Sequence, residues 1–412
     1  MTRLRDTGLL LPAVVSTLLG AVPAFAQNET CATKGKPQGK VLQGYWENWD
    51  GASNGVHPPF GWTPIQDPEI QQHGYNVIQA AFPVILPDGT ALWEDGMDSG
   101  VQIATPAEMC EAKAAGATIL LSIGGATAAI DLSSSAVADK FVSTIVPILK
   151  KYNFDGIDID IESGHSGSGN INELSVSQSN LIRVIDGVLD QMPANFGLTM
   201  APETAYVTGG SMTYGSIWGS YLPIIKKYVD NGRLWWLNMQ YYNGDMYGCK
   251  GDSYPAGVEG FIAQTDCLNE GLTIQGTTIK LPYDMQVPGL PAQQGAGGGY
   301  MSPALVGQAW DHYGDKLKGL MTWSINWDGS KSWTFADNLK GRKPPSGAPR
   351  TQLGASPDGG LRPWVADMVG MHSCIYIHST YIVHTSDCWI NDDFITAFDW
   401  SRIGHSPKPL TW

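Results

Sequence analysis

Positive charge is scarce in this chain: 25 Lys and Arg stand against 39 Asp and Glu in 412 residues, a formal net charge of −14. Such a surface repels phosphate, which excludes nucleic acid and anionic membrane as partners. Charge of either sign is sparse, at 16%, and that composition suits a neutral substrate. No apolar run after residue 26 is long enough to cross a bilayer. The six cysteines contain no CxxC pair, so the usual frame of a structural zinc site is missing. Neither a metal nor a cofactor is expected.

What is present begins with a leader. Arg3 and Arg5, an apolar run from Leu9 to Val22 and the small-residue site Ala24-Phe25-Ala26 read as a secretory signal peptide over 1–26, cut before Gln27. A secreted, extracellular protein follows, and Cys31, Cys110, Cys249, Cys267, Cys374 and Cys388 suit an oxidising compartment. Sequence leaves the pairing open, with Cys249–Cys267 and Cys374–Cys388 as the local candidates. Fifteen Trp and sixteen Tyr offer flat rings for sugar faces as readily as core filling.

After a short N-terminal segment, 27–37, residues 38–342 alternate apolar runs with helix-like stretches, the signature of parallel βα units. The strands are expected at Val41 to Trp46, Val77 to Phe82, Ile119 to Ile123, Gly156 to Glu162, Gly197 to Met200, Trp235 to Gln240, Ile279 to Gln286 and Gly319 to Trp323. Eight strands in about 300 residues predict an α/β fold closed as a (β/α)8 TIM barrel. Helix starts are marked by Thr105-Pro106 and Ser302-Pro303, and Ser135 to Lys151 and Ser177 to Gln191 are the longest amphipathic stretches. Residues 343–363 turn to Pro, Gly, Arg and Ser and read as a linker. The tail, 364–412, is strand-like from Ile375 to His384 and has no assigned fold.

The chemistry is carried by FDGIDIDIE, Phe154 to Glu162. Asp158, Asp160 and Glu162 alternate with Ile157, Ile159 and Ile161, so the three carboxylates share one strand face. Like charges about 6–7 Å apart along a strand repel and resist desolvation. Crowding of this kind keeps a proton on the group at neutral pH, as a general acid requires.

This segment resembles the DxxDxDxE signature of glycoside hydrolase family 18, the chitinase family, with Asp155, Asp158, Asp160 and Glu162 in its four acidic positions. Supporting segments lie in family order: Leu120 to Gly125 resembles its SxGG segment, Met200-Ala201-Pro202-Glu203 its fifth strand end, Met239 to Asn243 its sixth and Met321-Thr322-Trp323 its eighth. The resemblance covers 40–340 and implies a retaining, substrate-assisted hydrolysis of β-1,4 bonds between N-acetylglucosamine units. It gives Glu162 as acid and base, Asp160 as the orienter of the 2-acetamido group, Asp158 as the partner sharing its proton, and Tyr242 as a donor to the acetamido oxygen. Gln240, Asn243, Trp323, Tyr45 and Met200 are the implied substrate contacts, with Trp323 as floor and Tyr45 as wall. Asp155 reads as a structural tie to backbone amides, Ser122 and Gly124-Gly125 as close packing, and His165 as a solvated loop histidine.

About 80 residues separate Tyr242 from Trp323, too few for the α+β insertion that walls the cleft in some family members. An open groove and internal cutting of chitin or chitooligosaccharides are the expectation, by a monomer. Two alternatives use the same barrel: an endo-β-N-acetylglucosaminidase acting on N-glycans, and a chitin-binding lectin that has lost the acid, against which Glu162 argues. A divalent cation on the carboxylate row is a third, disfavoured because alternate positions of one strand wrap a cation poorly.

Overall fold

The structure, a computed structural model, describes residues 29–51, 61–127 and 130–342 and the strands Cys374–His378 and Tyr381–Thr385. Eight parallel strands form the central sheet: β1 (Val41–Glu47), β2 (Val77–Ala81), β3 (Thr118–Gly125), β4 (Gly156–Ile161), β5 (Gly197–Met200), β6 (Trp236–Leu237), β7 (Gly289–Pro291) and β8 (Gly319–Trp323). Their order is β7-β8-β1-β2-β3-β4-β5-β6. Parallel bridges Leu237↔Gln286 and Gln240↔Gly289 join β6 to β7 and close the (β/α)8 barrel.

Nine helices among the described residues surround or cap it: α1 (Pro68–Gln72), α2 (Pro106–Ala115), α3 (Ser135–Lys151), α4 (Val176–Leu189), α5 (Leu222–Asp230), α6 (Val258–Glu270), α7 (Pro303–Tyr313), α8 (Ile325–Gly329) and α9 (Thr334–Lys340). The expected starts have physical form. Thr105 and Glu108 make a reciprocal capping box on α2, Ser175 and Gln178 another on α4, and Ser302 caps α7 ahead of Pro303.

Strand alternation sorts the side chains into two cores. Ile157, Ile159 and Ile161 pack outward in the cluster that includes Phe141, Ile145, Val184 and Ile185 of the helices. Inside the barrel, Tyr45, Val77, Leu120, Trp236 and Met321 form a second cluster. That interior also has polar layers: Trp236 Nε1 donates to Gln43 Oε1 at 2.8 Å, and Gln79 Nε2 to Thr199 Oγ1 at 3.1 Å. At the base, Asp155 accepts from Lys34 N (2.6 Å) and Ile119 N (2.9 Å) and pairs with buried Lys113 at 2.7 Å, the structural tie expected of it.

One strand differs from expectation. The seventh lies at Gly289–Pro291, whereas the run from Ile279 to Gln286 holds the end of a hairpin (Leu272–Ile274 with Thr277–Ile279) and the turn Tyr283–Met285. Two short hairpins, α6 and α7 occupy the interval from β6 to β8 along with β7, and no α+β domain is inserted there.

Disulfides Cys31–Cys110 and Cys249–Cys267 staple the barrel unit, the second as expected. The chain divides into Met1–Ala348 and Pro349–Trp412. In the second unit Cys374–His378 pairs antiparallel with Tyr381–Thr385, across the stretch that reads as strand-like. The leader at 1–26, the linker at 343–363 and the Cys374–Cys388 pairing lie outside the described residues.

Candidate active site

A cleft of about 580 Å³ opens at the carboxyl ends of the strands, the face on which barrels of this kind place their chemistry. Asp160 and Glu162 line it from β4 and the residue just beyond, Gln240, Tyr242 and Asn243 from beyond β6, and Trp323 from the end of β8. No Lys or Arg is among its lining residues within the described part of the chain.

Asp158 sits one layer deeper and is fully buried. Tyr45 Oη (2.6 Å) and Ser122 Oγ (2.8 Å) donate to its Oδ2, while Thr199 Oγ1 (2.7 Å) and Asn238 Nδ2 (3.1 Å) donate to Oδ1. Burial raises Asp158 above the usual carboxylate range, and those four donors oppose the rise. Both oxygens are engaged from four different strands, β1, β3, β5 and the extension of β6, so the carboxylate is the hub of the barrel's upper layer.

Asp160 is also buried. Burial, then the charges of Glu162 and Asp158, push it well above the usual range. Glu162 is half-buried and raised by burial, with the Gln240 amide acting in the other direction. Gln240 Nε2 lies 2.9 Å from Asp160 Oδ1 and 3.0 Å from Glu162 Oε1, so one amide spans the pair. Glu203, past the end of β5, is raised by its own burial and then by Glu162.

Alternation beyond β6 separates the two tyrosines. Tyr241 points outward, its hydroxyl 2.9 Å from Thr265 Oγ1, whereas Tyr242 lines the cleft. Burial and then the charge of Asp160 keep the Tyr242 phenol protonated far beyond neutral pH. Asn243 has a left-handed φ of 61°, which Asn tolerates, and its Oδ1 accepts from Gly298 N at 2.8 Å.

Trp323 is half-exposed in a nest of rings: Phe82 stacks on it at 5.9 Å, Tyr45 lies at 5.3 Å and Trp49 at 6.2 Å. Just past it, Ser324 donates to buried Glu47 and caps α8 through Trp327 N. Asn326 Oδ1 accepts from Glu47 N at 2.9 Å. Burial pushes Glu47 up to about 8, against the Ser324 hydrogen bond. Gly124 and Gly125 have positive φ, and a Cβ on Gly124 would fall 2.2 Å from the Asp160 carbonyl oxygen, so both glycines are required by close packing.

Three expectations need correction. Met200 is fully buried in the outward core, since its neighbour Thr199 takes the inward position toward Asp158. Tyr45 is buried beneath the cleft and serves Asp158 through its hydroxyl; it is no exposed wall. His165 is 2% exposed, its Nε2 3.1 Å from Ser220 O, and burial lowers it to about 4. Residues not singled out from the sequence include Asn238, Thr199, Phe82 and Asp98, which lines the cleft from an exposed loop. Asn238 carried a readable signal, since it shares the inward parity of Gln240 and Tyr242.

The family model for Glycosyl hydrolases family 18 matches residues 41–243. Endochitinase 4 of Metarhizium robertsii is 83% identical over 344 residues, 83% of this chain and all of that protein. Endochitinase 37 of Trichoderma harzianum is 81% identical over 340 residues, 82% of this chain and all of that protein. Among solved structures, a family GH18 chitinase from Chromobacterium violaceum superposes with a TM-score of 0.61 at 27% identity, covering 74% of this chain and 84% of that one. With the four acidic positions in place on and flanking β4 and similarity of this depth along the whole length of two relatives, the chain belongs to glycosyl hydrolases family 18.

Proposed function

We propose that the protein is a secreted, endo-acting chitinase that hydrolyses β-1,4 bonds between N-acetylglucosamine units with retention of configuration, Glu162 being the general acid and base. The observation that carries this is the Asp160–Gln240–Glu162 bridge. Two carboxylates two residues apart on one strand stand on the same side of a substrate, so Asp160 is badly placed to attack the anomeric carbon from the far face.

The substrate's own 2-acetamido oxygen then forms the new bond to C1 as the glycosidic C–O bond breaks, and Glu162 gives its proton to the leaving oxygen. Asp160 accepts the acetamido N–H and offsets the positive charge of the oxazolinium ion, while the Tyr242 hydroxyl donates to the acetamido oxygen. Water opens this ring at C1, returning its proton to Glu162, and the two inversions leave the β-anomer. Gln240 and Asn243 supply polar contacts and Trp323 the apolar floor. Asp158 holds the strand and the charge of Asp160 from below.

Endo action is supported by the lack of an inserted α+β domain between β6 and β8 and by the names of the two fungal relatives. Secretion is supported by the leader and by two disulfides.

The test is product analysis with wild-type protein and Glu162→Gln on N-acetylchitohexaose and, separately, on a high-mannose N-glycopeptide. Cleavage of the oligomer, lost in the variant, is the expected result. Cleavage of the glycopeptide alone would reassign the protein to glycan release. Binding without cleavage by the wild type would make it a lectin.

A further inference from the structure

The strand that carries the acid outlasts one of its neighbours. On one side β4 pairs with β3 as far as Gly125↔Ile161. On the other its ladder with β5 ends at Ile159↔Met200, with a last bond from Ala201 N to Ile159 O at 2.9 Å. Residues two apart on a strand turn their backbone groups to the same side. Ile161 therefore presents its N–H and C=O where β5 has already left the sheet.

Two tyrosine hydroxyls occupy that place. Tyr221 Oη accepts from Ile161 N at 3.0 Å and donates to Ile161 O at 2.9 Å, satisfying both groups as a strand would. Tyr206 Oη donates to the backbone carbonyl of Glu162 at 2.6 Å. The pair is tied together by Tyr221 N donating to Tyr206 O (3.0 Å) and by an edge-to-face ring contact at 6.0 Å. Tyr221 is fully buried, with His165 edge-on at 4.8 Å on its ring. His165 Nε2 and Gln178 Nε2 (2.8 Å) both reach Ser220 O, which anchors the loop that presents Tyr221 at the start of α5.

We propose that Tyr206 and Tyr221 are positioning residues for the hydrolysis, acting through the backbone of Ile161 and Glu162 to aim the Glu162 carboxyl at the glycosidic oxygen. The proposal rests on the reading of Glu162 as the general acid. Neither tyrosine lines the cleft, so neither hydroxyl is asked to touch the sugar. A general acid works only when its proton lies along the line to the leaving oxygen, and a displacement of about 1 Å costs on the order of 100-fold.

The test uses Tyr206→Phe, Tyr221→Phe and Glu162→Gln in the full protein, with thermal melting to establish the folded fraction of each. The tyrosine variants keep their rings and lose only the hydroxyls. Their kcat on N-acetylchitohexaose should fall about 10- to 100-fold with KM within about twofold. The loss of kcat/KM should be smaller on an aryl chitobioside whose leaving group needs little protonation. Wild-type kcat in the folded variants, or a loss equal on both substrates, would overturn the positioning role. If Tyr221→Phe does not fold, Tyr206→Phe, which removes a single bond, decides alone. An active Glu162→Gln would instead defeat the reading of Glu162 itself. An inactive Glu162→Gln beside fully active tyrosine variants would defeat only the positioning.

Discussion

The Gln240 amide donates to Glu162 Oε1 at 3.0 Å with the same nitrogen that reaches Asp160 Oδ1 at 2.9 Å. A donor of this kind favours the ionised acid, so it holds Glu162 below where burial alone would put it. Gln240→Leu should therefore move the alkaline limb of the kcat/KM profile to higher pH. It should also lower the maximum about 10- to 100-fold through loss of a hydrogen bond to a charged group. A pH–rate profile checks both, and an unmoved limb would contradict the assignment.

Asp158 gathers four donors in the closed interior. Asp158→Leu should lower the free energy of unfolding by at least about 3 kcal/mol, since each stranded buried group costs about 1–3 kcal/mol. Asp158→Asn, which keeps one acceptor oxygen, should lose less. Urea unfolding of the two variants measures the difference.

The row on β4 was legible because its period of two is a local property, and the same rule placed Tyr242 inward and Tyr241 outward. Applied to β5 it would also have turned Met200 outward, since Thr199 and Met200 cannot share a face. The seventh strand was not legible: Gly289–Pro291 is made of residues that seldom favour strands, and barrel closure between Met239 and Met321 imposes its conformation. Ile279 to Gln286 had the better composition and went to a hairpin end and a turn. His165 depended on Ser220 and Tyr221, more than fifty residues away, and no local pattern reports such packing.

Glu47 makes stability depend on pH. Its folded value of about 8 lies above the ordinary 4.5, so the folded state holds this proton more tightly than the unfolded chain does. The stabilisation is complete below pH 4.5 and is lost as pH rises toward about 8. Glu47→Gln, which mimics the protonated form, should flatten the fall in melting temperature across that window. An identical slope in wild type and variant would exclude Glu47 as its source.

The disulfides close loops of unequal length, 79 residues for Cys31–Cys110 and 18 for Cys249–Cys267. On the chain-entropy account the first contributes about 4.5 kcal/mol and the second about 3 kcal/mol. Cys31→Ser with Cys110→Ser should therefore lower the melting temperature more than Cys249→Ser with Cys267→Ser, as calorimetry of the two double variants would report.

Substrate-assisted retention is read from the anomeric form of the first product, followed by proton NMR as the enzyme begins to cut N-acetylchitohexaose. Attack by the acetamido oxygen followed by water gives the β-anomer first, with the α-anomer growing only by mutarotation. An initial α-anomer would mean a single inversion by water activated from the opposite face, and the roles given to Asp160, Tyr242 and the acetamido group would all be wrong.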